Sequence, residues 1–147
     1  MIYIASDHGG YELKNFIVNY LQSKKIAFKD MGTNSPSSVD FPVYANKVTN
    51  AMLKSKTKTN FGILICGSGI GISIAANRVP GIRAALIPPC THAVEYARLA
   101  RQHNNANVIA LGGRFTTPET AIAAIDAFLA TPADPDPKYK ARMDAVG

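Results

Sequence analysis

Nowhere does the sequence hold an apolar run close to the roughly 20 residues that a membrane-spanning helix needs. Met1 is followed at once by a strand-like run, with no charged segment, apolar stretch and small-residue cleavage site in sequence. These absences lead to the expectation of a soluble, cytoplasmic protein without membrane partners. Cysteine is scarce: Cys66 and Cys90 are the only two, and neither has a neighbour at a metal-ligand or redox CxxC spacing. Free thiols in a reducing compartment are the economical reading. No pair of histidines and carboxylates shows a zinc pattern such as H-E-x-x-H, so neither metal nor cofactor is expected. The chain is basic, with a net charge of +6, yet it lacks a continuous basic stripe. Lys24-Lys25, Lys54, Lys56, Lys58 and a C-terminal group are scattered, which argues against a nucleic-acid partner and leaves enough charge for a small anion.

What remains is an ordinary globular composition, 47% hydrophobic and 18% charged, over 147 residues, enough for one core. We read a single domain over residues 1–147. Ile2-Tyr3-Ile4-Ala5 predicts a buried strand that hands over to Ser6-Asp7-His8-Gly9-Gly10. Leu13, Phe16, Ile17, Tyr20 and Leu21 then fall on one helical face, with Lys14, Asn15, Gln22 and Lys24 on the other. A second strand is expected around Ile26 to Asp30, a loop over Asn34 to Ser38, and a helix from Pro42 to about Lys56. Phe61-Gly62-Ile63-Leu64-Ile65 is continuously apolar, as in a strand buried on both faces of a parallel sheet. Helix over Ile70 to Asn77, strand over Ile82 to Ile87, helix over Thr91 to Gln102 and strand over Asn107 to Leu111 complete the alternation. Thr117-Pro118 opens a further helix. Five strands alternating with five helices predict a Rossmann-like α/β/α sandwich on a five-stranded parallel sheet. The three prolines between Thr131 and Pro137, followed by a short basic helix from Lys138, suggest a tail (131–147) that packs at a subunit interface.

Three segments carry the candidate chemistry: Asp7-His8-Gly9-Gly10, Cys66-Gly67-Ser68-Gly69-Ile70-Gly71, and His103-Asn104-Asn105 just before the fifth strand. In open α/β sheets ligands sit at the carboxyl ends of the strands, and His8 and His103 are expected to approach that edge from different loops. The glycine loop opens a helix, so its amides suit an oxyanion, although such a turn also serves tight packing. It departs from nucleotide fingerprints: the third glycine, Gly71, comes one residue early for G-x-G-x-x-G, and Ile72 stands where a P-loop needs lysine. Cys66 sits at a strand end before that helix, where amide dipoles favour a thiolate and hence a base. For an arbitrary lone cysteine the usual reading is a small buried apolar residue. Asp7 suits an ionised sugar or imidazole partner, or a helix cap. Asn104 suits an enolate donor, or a turn. Lys138 and Arg142, four apart on one helix face, suit a shared phosphate, with Arg114 a further cation; a solvated basic face is the alternative.

Taken together, these stretches, with Asp40-Phe41-Pro42, the run from Gly62 to Arg78, Gly81-Ile82-Arg83-Ala84 and Arg101-Gln102-His103-Asn104-Asn105, resemble the type B ribose 5-phosphate isomerases, a family that also holds galactose 6-phosphate isomerase subunits. The resemblance covers the chain from the first strand to the basic tail. It implies cofactor-free interconversion of ribose 5-phosphate and ribulose 5-phosphate in the non-oxidative pentose phosphate pathway. It also implies a homodimer or dimer of dimers with sites shared between subunits. By position it makes Cys66 the base, Ser68 its assisting hydroxyl and His103 the ring-opening group. Asn104 with the amides of Gly67, Gly69 and Gly71 becomes the enolate cradle, Asp7 a sugar contact, and His8, Arg114, Lys138 and Arg142 the phosphate side. Three positions depart from the family's usual pattern: Ser68 replaces Thr, Phe41 replaces Tyr and loses a hydroxyl, and Lys138 replaces Arg, a point charge in place of a fork. Some members use a Glu in the helix after the glycine loop as base, and Ile72 to Asn77 holds no acid. A six-carbon substrate such as galactose 6-phosphate or allose 6-phosphate asks for the same chemistry. A non-catalytic sugar-phosphate or nucleotide binder has no use for Cys66, Ser68, His103 and Asn104 together.

Overall fold

A computed structural model describes residues 1–147. In chain order the elements are β1 (Ile2–Ser6), a short 3-10 turn (His8–Gly10), α1 (Tyr11–Ser23), β2 (Phe28–Asp30), α2 (Phe41–Lys54), β3 (Phe61–Cys66), α3 (Ile70–Asn77), β4 (Ala84–Leu86), α4 (Ala93–Gln102), β5 (Val108–Gly112), α5 (Pro118–Ala130) and α6 (Pro137–Val146). The five strands form one parallel sheet in the order β2-β1-β3-β5-β4, the Rossmann-like α/β sandwich that the alternation predicts.

The strand order dictates the layers. Crossovers from β1 to β2 and from β4 to β5 run in one direction across the sheet, and those from β2 to β3 and from β3 to β4 in the other. Right-handed connections therefore place α1 and α4 on one face and α2 and α3 on the opposite face. The two cores match this division. Ile2, Ile4, Ile63, Ile65, Ile109 and Leu111 pack against α1, α4 and α5, while the alternate residues Tyr3, Ala5, Leu64, Cys66, Val108 and Ala110 face α2 and α3. Because β1 and β3 send their crossovers in opposite directions, a crevice opens between their carboxyl ends.

Boundaries differ from expectation at the sheet's margins. β2 and β4, the edge strands, keep three residues each, since an edge strand pairs on one side only. α3 matches its predicted span, and Thr117 caps α5 by accepting the Thr120 N–H at 3.2 Å, with Pro118 at the first helical position.

The polar face expected of α1 requires a correction. Leu13, Ile17 and Leu21 are buried as predicted, but Phe16 is 45% exposed and Lys14 is only 1% exposed. The buried stripe is centred on the 13-17-21 row and leans toward position 14, away from 16. Lys14 is accommodated because its Nζ donates to both carboxylate oxygens of Asp30 on β2, at 2.8 and 2.7 Å. Asp30 in turn accepts the Gly32 N–H at 2.9 Å. Removing one member of such a pair strands the other charge, whereas an apolar replacement of the buried member does not. Asp30→Ala is expected to lower the unfolding free energy by about 3 kcal/mol and Lys14→Met by about 1 kcal/mol or less. Urea titrations of both variants check the inequality.

Candidate active site

The carboxyl ends of β1, β3 and β5 finish side by side, with Ser6 paired to Ile65 and Cys66 to Gly112. Their loops touch through backbone. A Cβ on Gly9 would lie 2.8 Å from the Gly67 nitrogen, and one on Gly113 would lie 2.5 Å from the Gly9 carbonyl oxygen, so side chains at these positions would force the loops apart. The Gly113 N–H donates to the Cys66 carbonyl at 2.8 Å and the Arg114 N–H to the Gly67 carbonyl at 3.0 Å.

Cys66 ends β3 and is 4% exposed in the single chain. Its Sγ accepts the Gly69 N–H at 3.1 Å. A donor aimed at sulfur from the first turn of a helix stabilises negative charge there. Ser68 is exposed, and its Oγ accepts the Ile70 N–H at 3.2 Å. Asp7 is 6% exposed and serves the cap role foreseen for it: Oδ1 accepts the N–H of Gly9 at 2.8 Å and of Gly10 at 3.2 Å. Its other oxygen makes no hydrogen bond within the chain. His8 Nδ1 lies 3.2 Å from both the nitrogen and the oxygen of Val39, and its tautomer decides which it engages. The Arg114 guanidinium lies over Gly67, where a Cβ would meet it at 3.0 Å. Phe41 packs on Gly71 with its para carbon nearest, 2.7 Å from where a Cβ would stand, so the edge that would carry a tyrosine's hydroxyl faces the glycine loop.

His103 and Asn104 do not join this cluster. They follow α4 and precede β5, so within one chain they lie at the amino edge of the sheet, contrary to the expected approach of His8 and His103 to one edge. β5 spans five residues, and at about 3.3 Å each this separates the two edges by roughly 15 Å. The physical reason is elementary: a helix returning between parallel strands ends at the edge opposite to the one at which it began. Lys138 and Arg142 belong with His103. The imidazole stacks on Tyr139 of α6, centroids 4.4 Å apart and planes within 8°, and the Lys138 ammonium and Arg142 guanidinium lie 4.9 and 5.7 Å from the same tyrosine ring. The tail is strapped there by the Asp134 N–H to the Gln102 carbonyl at 3.0 Å. A cavity of about 550 Å³ opens at this amino edge among Arg83, His103, Asp134, Tyr139 and Met143.

Sequence reading missed the residues that hold this turn. Arg101 is nearly buried and has no carboxylate partner. Its guanidinium donates to Ala106 O at 2.5 Å, Asn105 Oδ1 at 3.0 Å and Thr131 O at 3.1 Å, between the faces of Phe61 and Phe128. Burial, with Arg83's charge added, lowers its affinity for the proton. Arg83 grips the Asn105 carbonyl at 2.8 Å from the other side, and Asn105 adopts a left-handed φ of 43°. An arginine two residues before His103, following Leu99-Ala100 on the inward side of α4, is the signal that could have revealed the clamp.

Fold and site together define a doubly wound α/β protein whose glycine loop presents amides and a thiol at the β1/β3 crevice, a setting for small anionic substrates. The chain belongs to the ribose/galactose isomerase family, whose model matches residues 2–146. It is 48% identical over 130 residues to a putative sugar phosphate isomerase of Rickettsia bellii, covering 88% of this chain and 86% of that one. Among solved structures, the ribose 5-phosphate isomerase of Thermotoga maritima superposes with a TM-score of 0.90 at 48% identity, covering 99% of this chain and 95% of that one. Ribose-5-phosphate isomerase B of Mycoplasma genitalium, solved with bound ribulose 5-phosphate, gives a TM-score of 0.88 at 38% identity, with coverages of 99% and 92%.

The loop's tightest position makes a test. Gly69 has a φ of +79°, and a Cβ there would lie 2.8 Å from the Leu111 carbonyl carbon and 3.0 Å from the Gly112 nitrogen. Gly69→Ala combines left-handed strain with a backbone clash and is expected to cost about 2–3 kcal/mol of stability, measurable by thermal and urea unfolding.

Proposed function

We propose that the chain interconverts ribose 5-phosphate and ribulose 5-phosphate, with Cys66 as the proton-transferring base and with each active site completed by a second copy of the chain. The observation that carries this reading is the division of the family's functional residues. Cys66, Ser68, Asp7, His8 and Arg114 stand at one sheet edge, and His103, Asn104, Lys138 and Arg142 stand together at the other. One chain cannot bring a thiolate and its ring-opening histidine to one sugar across roughly 15 Å. A homodimer that faces the amino edge of one copy toward the carboxyl edge of the other does so twice, with the 131–147 tail at the interface.

In the mechanism, Lys138, Arg142, Arg114 and His8 hold the phosphate, and the free Asp7 oxygen takes a sugar hydroxyl. His103 donates a proton to the ring oxygen as the C1–O4 bond breaks. The C1 hydroxyl releases its proton to solvent and becomes the aldehyde, so the proton count is conserved. The Cys66 thiolate removes the C2 proton, and charge develops on the enediolate oxygen. Backbone amides from Gly67 to Gly71 and the Asn104 amide stabilise that charge, each donor contributing about 3 kcal/mol in comparable sites. The thiol returns the proton to C1, while Ser68 relays the hydroxyl proton from O2 to O1. The reaction consumes no oxidant and calls for no metal or cofactor. The two unpaired cysteines, one of them exposed, fit a reducing cytoplasmic setting.

Two experiments test the reading. Cys66→Ala is expected to abolish conversion of ribose 5-phosphate to the ketose while leaving substrate binding measurable by calorimetry; retained turnover would remove Cys66 as base. A six-carbon sugar phosphate assayed alongside the wild type reports which substrate length is preferred. Mixing inactive Cys66→Ala with inactive His103→Ala, after dissociation and reassembly, is expected to restore about a quarter of wild-type activity, because half the dimers are mixed and each carries one intact site. No restoration would show that the two residues act within one chain or not at all.

A further inference from the structure

We propose that Tyr139 is a positioning residue that sets the plane of His103 for ring opening; the inference rests on the ring-opening role given to His103 above. Around His103 the other groups are individually tethered. Its own N–H donates to the Leu99 carbonyl at 2.9 Å. Arg101 holds Asn105 and Ala106, and the Asn104 amide donates to the Met143 sulfur at 3.5 Å. The imidazole alone has no hydrogen bond within the chain. What fixes its side-chain torsions is the face of Tyr139, 4.4 Å away and within 8° of parallel. The dependence is mutual, because no residue of α6 is buried. The stack, the Asn104–Met143 contact and the Asp134 strap are what seat that helix.

Tyr139 carries a second duty through the same ring. The Lys138 ammonium and the Arg142 guanidinium lie 4.9 and 5.7 Å from its centroid, so one aromatic plane registers the phosphate-holding cations against the histidine. The stack and both cation contacts are made by the face of the ring, so the effect is assigned to the ring. A phenylalanine therefore suffices, and an alanine leaves the imidazole free to rotate.

The substrate's chemistry separates this role from general support of the fold. Ribose 5-phosphate is a closed furanose and must open before C2 can lose its proton. Ribulose 5-phosphate carries its phosphate on the only hydroxyl that could close a five-membered ring on C2, so it is acyclic and reaches the enediolate without ring opening. The experiment measures two rates on full-length wild type, Tyr139→Ala, Tyr139→Phe and His103→Ala: turnover of ribose 5-phosphate, and initial deuterium uptake at C1 of ribulose 5-phosphate in heavy water. For Tyr139→Ala with both substrates saturating, so that any loosening of Lys138 and Arg142 falls on KM alone, ribose 5-phosphate turnover is expected to fall about tenfold or more, a loss in keeping with misplacement of a reacting group, while deuterium uptake from ribulose 5-phosphate stays within about twofold of wild type. Tyr139→Phe is expected to leave both rates within about twofold. Equal loss of both rates in Tyr139→Ala overturns the proposal in favour of a purely structural role. Undiminished turnover in Tyr139→Ala, with His103→Ala impaired, overturns it while leaving the ring-opening assignment intact. Undiminished turnover in His103→Ala removes that assignment and the proposal with it.

Discussion

The chemistry proposed for Cys66 depends on three parallel strands ending at one level. Hydrogen-bonded register pairs Ser6 with Ile65 and Cys66 with Gly112, so the loops that follow start from a common height. Glycine at positions 9 and 113 then lets their backbones touch. A sheet slipped by one residue would turn every side chain of β3 to the opposite face. It would turn Cys66 away from α2 and α3. The apolar runs that make β1, β3 and β5 buried on both faces therefore fix the site as firmly as the polar residues within it.

The same parallel order imposes a cost. A helix returning between parallel strands must deliver its last turn to the amino edge, and that is where α4 leaves His103 and Asn104. No adjustment of loops within one chain carries them to the far edge, because the strand itself stands between. Apolar side chains at the sheet's flank, among them Ile70 and Ile74 on α3, Leu86 on β4 and Tyr96 and Leu99 on α4, remain exposed in the single chain. Covering such surface is the ordinary driving force of a stable dimer, in keeping with the shared site proposed above.

Much of the fold was legible because local signals agreed. A short β-branched run marked β1 and a continuous apolar run marked β3, and Thr117-Pro118 marked the start of α5 as it is observed. The errors fall where a residue's environment is set by partners distant in sequence. Lys14 fits a solvent face by periodicity, and only the placement of Asp30 on the neighbouring strand makes its burial possible. Asp7, Cys66 and the glycine loop were legible as one site because they follow strands directly. His103 was misplaced because a residue lying just before a strand was assigned to the edge that the strand reaches, and sequence proximity to β5 does not say which of its two ends is near. Tyr139 gave no signal of its own, since a stack between residues 36 positions apart depends on how the Pro-rich tail folds back.

The segment from Arg101 to Asn105 shows how one short motif can mix two kinds of constraint. Arg101 points inward to carbonyls and aromatic faces, and Asn105 takes a left-handed conformation under the grip of Arg101 and Arg83. Asparagine tolerates that conformation better than most side chains. Neither residue is near the carboxyl-edge thiol. Between them, His103 and Asn104 are left at the surface, backbone fixed and side chains turned toward α6. A buried arginine without an acid is tolerable here because every donor that it aims inward meets a carbonyl or an amide oxygen. The arrangement converts burial, which acts only within the fold, into a fixed presentation of two polar groups outward. A lysine in place of Arg101 would keep the charge but could not span Asn105, Ala106 and Thr131 at once. The geometry of the turn, and not its charge, is thus what the arginine supplies to the site.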